Sequence, residues 1–323
     1  MPADQDLADD LRSTAKVRPE SVDVSTLVDL TTSSDDVART IALGALKEVG
    51  SERPDRVRGS VDAIGARLSD GNASVRKNAL FALVPLAEAD PDVVSPYLRA
   101  IGDLLDGDKT ANNAVHVFKH LSEAFPEAAG DYVDRIVPLL QADNEYTRIQ
   151  AAGCLRNLAR PKRETIREYV PELTDALSDP ASDVRNAAVV ALGRIAESDP
   201  AAVRYSIDDI VALVDDRSKY TRASVAYAVS QVAKEYPDDA RTVADALGPL
   251  LSDPHATARH NTATAFHYLS EPSPAVLDGY RTELERLADD DESSVYASKC
   301  LDKLDAWADG PSGSETRVYD PDR

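Results

Sequence analysis

The chain has 323 residues and a formal net charge of −21, from 57 acidic against 36 basic side chains. So acidic a chain disfavours wholesale binding to DNA or an anionic membrane, because counterion release needs a basic surface. Two cysteines, Cys154 and Cys300, exclude a disulfide framework, and only 5% aromatic residues argue for packed helices over a β-sandwich.

Aspartate outnumbers glutamate 40 to 17, and arginine outnumbers lysine 26 to 10. This balance resembles the cytosolic proteins of extreme halophiles. Its physical sense is self-repulsion that molar salt screens, since the Debye length falls to roughly 3 Å at 1 M. No apolar run approaches the roughly 18 residues of a membrane span. The opening MPADQDLADD is acidic and unlike a signal peptide, so a cytoplasmic location is expected.

Residues 1–20 read as a polar lead-in. From residue 21 a motif recurs: a short Asp-rich turn, an arginine, then an Ala-rich helix. Its arginines are Arg39, Arg76, Arg148, Arg185, Arg222 and Arg259. Two further copies carry Ala111 and Ser294 in the arginine place, giving steps of 37, 35, 37, 37, 37, 37 and 35 residues. Counting from that place, offsets +3, +6, +7 and +10 are apolar or small almost throughout, as in Ala79, Ala82, Leu83 and Leu86. At about 100° per residue they share one narrow helix face.

Upstream of each turn lies another helical stretch, such as YVDRIVPLL from Tyr132. Prolines (Pro54, Pro91, Pro126, Pro161, Pro200, Pro237, Pro272) punctuate the boundaries. Each repeat is therefore first helix, Asp turn, second helix, Pro loop. Pro85, late in one second helix, predicts shortening or a kink there. The repeats span residues 21–308, and 309–323 read as a disordered acidic tail.

A helical pair of about 37 residues with Asp179-Pro180 or Asp253-Pro254 at the turn, then Val184-Arg185 and Ala191 to Ile195, resembles the HEAT repeat. The resemblance implies an all-α, right-handed α-α superhelix of about eight helical pairs. It implies that the repeated arginine ties neighbouring repeats together, and turn acids such as Asp36, Glu145 and Asp183 are its expected partners. It also implies that the second helices line a concave surface. Fold alone does not settle function.

The candidate chemistry is sparse. Cys154 and Cys300 fall on the buried offset +6. His116 and His120, four apart on one helix, have a metal-compatible spacing but read as solvated, and no His-Glu dipeptide occurs. No phosphate loop or nucleophile motif appears. Neither a cofactor nor a metal is expected, and the chain reads as a non-enzyme.

The informative stripe is offsets +1, +5, +8 and +12, opposite the core face. Aspartate is absent from it in the first seven repeats. Lys47, Phe81, His116, Lys119, Arg156, Arg160, Val190, Tyr227, Lys234 and His267 lie on it, with Arg194 on its flank. Aromatic and arginine side chains are the usual interface anchors. The expectation is a scaffold or adaptor that binds a protein partner along this face, with nucleic acid and membrane unfavoured. The alternative is an enzyme or ligand-handling protein related to the bilin lyases, which also use HEAT-like repeats.

Overall fold

The structure, a computed structural model, describes residues 2–107, 109–238, 242–289 and 294–309; the tail 310–323 lies outside the described residues. Among those described, every regular element is an α-helix or a 3-10 helix. Two compact units, Met1–Thr165 and Ile166–Arg323, divide the chain.

In the N-terminal unit the longer helices are α1 (Pro2–Val17), α2 (Val24–Leu30), α3 (Asp36–Glu52), α4 (Ala73–Ala89), α5 (Ala111–Ala124) and α6 (Glu145–Leu158). Helices α3 to α6 are the second helices of four repeats, and each packs on the next. The polar lead-in is itself helical: α1 lies against α3 and buries Ala8 and Ala15. Its few apolar positions suffice because it covers only the open end of the stack.

The C-terminal unit repeats the plan with α7 (Ser182–Ala196), α8 (Lys219–Ala233), α9 (Ala256–Leu269), α10 (Arg281–Ala288) and α11 (Ser294–Asp309). Helices α7, α8, α9 and α11 are second helices stacked in order.

Capping and apolar spacing explain these helices. Asp35, Asn72, Asn144 and Ser218 cap α3, α4, α6 and α8 by accepting backbone N–H bonds. The offsets +3, +6, +7 and +10 are buried, as for Ala188, Ala191, Leu192 and Ile195. Each fully buried Leu or Ile contributes about 1.5–3 kcal/mol. Thr262, the polar exception, is buried and donates its hydroxyl to the Ala258 carbonyl at 2.7 Å. Pro85 does not shorten its helix: α4 runs 17 residues, as long as α3. The ring instead fills space beside Gly50, where an added Cβ would sit 3.0 Å from Pro85 Cγ.

The first helices are not single helices. The stretch read from Tyr132 divides into Val133–Ile136 and a 3-10 turn, Val137–Gln141. Prolines begin many of these pieces, at Pro54, Pro91, Pro126 and Pro200, where a missing N–H costs nothing.

One device recurs along this first-helix row. The rings of Tyr97, Tyr132 and Tyr280 lie on Gly65, Gly102 and Gly248 of the preceding repeat, where an added Cβ would meet ring carbon at 2.2, 2.2 and 2.3 Å. Tyr97 and Tyr280 donate their hydroxyls to Asp62 at 2.6 Å and Asp245 at 2.9 Å. Burial, then that hydrogen bond, pushes each phenol up to about 12. Tyr132 and Tyr280 also meet Phe118 and Phe266 edge-on, at 5.3 and 4.8 Å between centroids.

Candidate functional site

Six second helices share one arrangement at their first turn. Arg39, Arg76, Arg148, Arg185, Arg222 and Arg259 each donate through Nη1 to the carbonyl six residues earlier, at 2.8–3.1 Å. Arg39, Arg185 and Arg222 also reach the next repeat. Arg39 Nε donates to Asp70 at 3.0 Å, Arg185 Nε to Asp216 at 2.6 Å and Arg222 Nε to Asp253 at 2.6 Å. The partners of these three are thus aspartates 31 residues ahead, not the expected acids of the same turn. Asp36 instead accepts from the Asn72 amide.

Each of those aspartates has a second duty, accepting the backbone N–H two residues on: Asn72, Ser218 or His255. For Asp253, burial alone would raise the pKa. The Arg222 and His255 hydrogen bonds and the Arg222 charge outweigh it and hold the carboxyl below its ordinary range. Gly107 stands where Arg76 would find such an aspartate, and α5 begins only at Ala111, one turn late. The ladder fixes the helices; the outward row is a different set of residues.

In the N-terminal unit, Lys47 Nζ sits 4.8 Å over the Phe81 ring and 3.7 Å from Glu48. Phe81 is 37% exposed. His116 is not solvated. It is half-buried, edge-on to Tyr146 at 5.1 Å and 5.8 Å from His120, with the Tyr146 hydroxyl 2.7 Å from Nδ1. Burial, then the charges of His120 and Lys119, lowers the His116 pKa to about 4. Burial and Lys119 lower that of His120. These rings are neutral at pH 7, so the row draws its positive charge from lysine and arginine.

The Lys119 stem passes 3.4 Å from where a Gly153 Cβ would lie, and its carbonyl accepts from Asn157 at 3.2 Å. Arg156 donates to Asn157 at 3.5 Å, and Arg160 is exposed.

In the C-terminal unit, Val190 and Arg194 are half-buried on α7. The Tyr227 ring covers Gly193, and its hydroxyl donates to Glu197. Lys234 is exposed, 5.6 Å over Tyr268. His267 lies 5.2 Å from Tyr268 and 5.5 Å from Tyr296, and Lys299 lies 4.8 Å over Tyr296. Burial, then Lys303, lowers the His267 pKa.

Sequence reasoning did not single out Tyr146, Tyr220, Tyr296 or Lys299. The first two sit at offset −2, one heptad before +5 and so on the same stripe; extending the pattern one turn upstream finds them. Lys299 is at +5 of the eighth repeat. Tyr296, at +2, joins only because α9 and α11 pack together.

The row offers little chemistry. Cys154 and Cys300 are fully buried, and desolvation pushes both thiols up to about 12. Among the described residues no three His, Cys, Asp or Glu side chains converge as a metal site would need. No described helix is long and apolar enough to cross a membrane. A hollow of about 780 Å³ lies elsewhere, on the first-helix row, beside Arg167, Pro171, Asp175, Asp199, Tyr205 and Asp209.

Residues 133–230 match the family model for HEAT repeats. This segment carries HEAT repeats. Among solved structures it is similar to an engineered protein of the Northeast Structural Genomics Consortium, at 20% identity and a TM-score of 0.84, covering 97% of this chain and 87% of that one. A second engineered protein from the same consortium is similar at 21% identity and a TM-score of 0.60, covering 65% of this chain and 96% of that one. At such identities the likeness is one of fold: an all-α solenoid of helical repeats. Nothing matches among curated proteins.

Proposed function

We propose that this HEAT-repeat protein is a non-catalytic scaffold that holds a protein partner on the outward face of its second helices. The observation that carries this reading is the pairing of cations with aromatic rings on that row: Lys47 on Phe81, Lys234 on Tyr268, Lys299 on Tyr296. A chain of net charge −21 keeps aspartate off these positions in seven repeats, leaving as acids only Glu88, Glu123, Glu197 and Glu271 at offset +12. Paired lysines and rings supply contact area together with polar anchoring. The partner-binding residues are Lys47, Phe81, His116, Lys119, Arg156, Arg160, Val190, Arg194, Tyr227, Lys234 and His267. The acidic remainder suits a cytoplasm of high salt. No cofactor enters this reading; the alternative is an enzyme or ligand-handling protein related to the bilin lyases.

The test is a pair of variants of equal charge change. One carries Lys119→Glu with Lys234→Glu on the second-helix row. The other carries Arg58→Glu with Arg167→Glu on the first-helix row. Capture of the native partner should be lost in the former and retained in the latter. The opposite result places the site on the first helices, where the 780 Å³ hollow is the alternative.

A further inference from the structure

Five side chains at the end of the C-terminal unit form one unbroken strip: Lys234, Tyr268, His267, Tyr296 and Lys299. Successive groups are 5.6, 5.2, 5.5 and 4.8 Å apart. They come from three helices, α8, α9 and α11, so the strip exists only when the repeats are stacked. The ends are ammonium groups and the middle is ring surface.

The ends are also unpaired. Among the described residues neither Lys234 nor Lys299 has a carboxylate in ion-pair range; Lys234 donates to the neutral Gln231 side-chain oxygen. Lys303, beside them, is engaged with Glu271 at 2.5 Å and the His267 carbonyl at 2.6 Å. In a chain with 21 more acids than bases, the two strip ends keep ammonium groups free of ion pairs, while Glu271, 3.9 Å from His267, is held by Lys303. The two Lys–ring contacts hold the ammonium groups over apolar surface, where desolvation on binding strengthens charge-assisted bonds.

We propose that this strip takes an extended acidic peptide segment with carboxylates at both ends and aromatic or apolar side chains between them. The proposal rests on the scaffold reading above and names the chemistry of its partner. The four steps allow the two ammonium groups to be no more than about 21 Å apart, and an extended chain advances about 3.3 Å per residue. The matching segment is therefore about seven residues or shorter. Ring surface on both sides supplies the contact area that survives when salt screens the terminal charges.

The experiment uses the full chain and a fluorescein-labelled hexapeptide with glutamate at both ends and two aromatic residues between, followed by fluorescence anisotropy at 0.1 M and 1 M KCl. A second peptide carries glutamine at both ends. Binding of the glutamate peptide should exceed that of the glutamine peptide at least about tenfold at 0.1 M KCl, and less at 1 M. Lys234→Glu with Lys299→Glu should remove that preference. Both side chains are exposed, and circular dichroism checks that the variant folds. Lys16→Glu with Lys162→Glu, the same charge change away from the strip, should leave binding intact.

Three results overturn the proposal: no hexapeptide binding at millimolar concentration, equal loss in both lysine pairs, or tighter binding of a thymidine hexanucleotide lost with the same strip variant. The last result would assign the strip to single-stranded nucleic acid, whose bases also stack on rings. None of the three touches the capture of the native partner by the second-helix row, so the two readings fail separately.

Discussion

Arg222 donates to the Asp253 carboxylate in the next repeat, and the carbonyl of that same aspartate accepts from Arg259. One residue thus receives the arginines of two successive repeats. Asp216 does the same for Arg185 and Arg222, and Asp70 for Arg39 and Arg76. Replacing Asp253 with Ala removes the ion-pair partner of the half-buried Arg222, which keeps its bond to the Asp216 carbonyl. The expected loss is about 1–3 kcal/mol in urea unfolding. Arg163→Ala, at an exposed side chain, should stay within about 0.5 kcal/mol.

The same pair sets an acid limit. The folded pKa of Asp253 is held below that of the unfolded carboxylate, about 3.9. Its contribution is complete above that value and fades as pH falls through the folded pKa. Melting temperatures of wild type and Asp253→Asn should therefore converge below about pH 3.9. A difference that persists unchanged at lower pH contradicts the assignment.

His116 provides a second pH test, with the ring buried against Tyr146. Its folded pKa, lowered to about 4, lies below the unfolded value of 6.5. Neutral His116 stabilises the fold fully above 6.5, and that stability drains as pH falls from 6.5 toward 4. Imidazole proton shifts should give a midpoint near 4 for His116, and His116→Gln should flatten the loss of stability over that window. A midpoint near 6.5 would mean the ring is solvated.

Glycines along the first-helix row separate packing from backbone effects. Gly102→Ala and Gly248→Ala place a methyl group inside the Tyr132 and Tyr280 rings, and should cost about 1–3 kcal/mol. Gly59 and Gly71 have nothing within 4 Å of an added Cβ, so alanine there should be neutral or stabilising by less than about 1 kcal/mol. Equal effects at all four would dismiss the tyrosine lock.

Salt should raise stability. With 57 acids against 36 bases, screening relieves net repulsion. The melting temperature is expected to climb between 0.1 and 3 M KCl; a flat or falling curve contradicts the halophilic reading.

The second helices were legible because their spacing is regular: arginine, four apolar offsets and a capping side chain recur every 35 or 37 residues. The arginines' aspartate partners were not, because they lie 31 residues away, and nearer acids such as Asp36 and Asp183 looked as suitable. The Tyr-on-Gly contacts escaped for a similar reason. A lone glycine in a helix signals weakness until the ring from the next repeat is in place. On the outward row, Lys119 and Tyr227 were visible by offset, whereas the burial of His116 depends on Tyr146, which belongs to another helix. Proline rules described the boundaries well, yet Pro85 stays inside α4, its ring filling the space beside Gly50.

The central claim is that the second-helix row is the interaction face, and the chain's ten lysines make it measurable. Brief acetylation of the protein alone and in complex with its native partner, followed by peptide mass spectrometry, reads each lysine separately. The account predicts protection of Lys47, Lys119, Lys234 and Lys299, with Lys16 and Lys162 labelled equally in both states. Protection of Lys16 or Lys162 while those four remain reactive would contradict it.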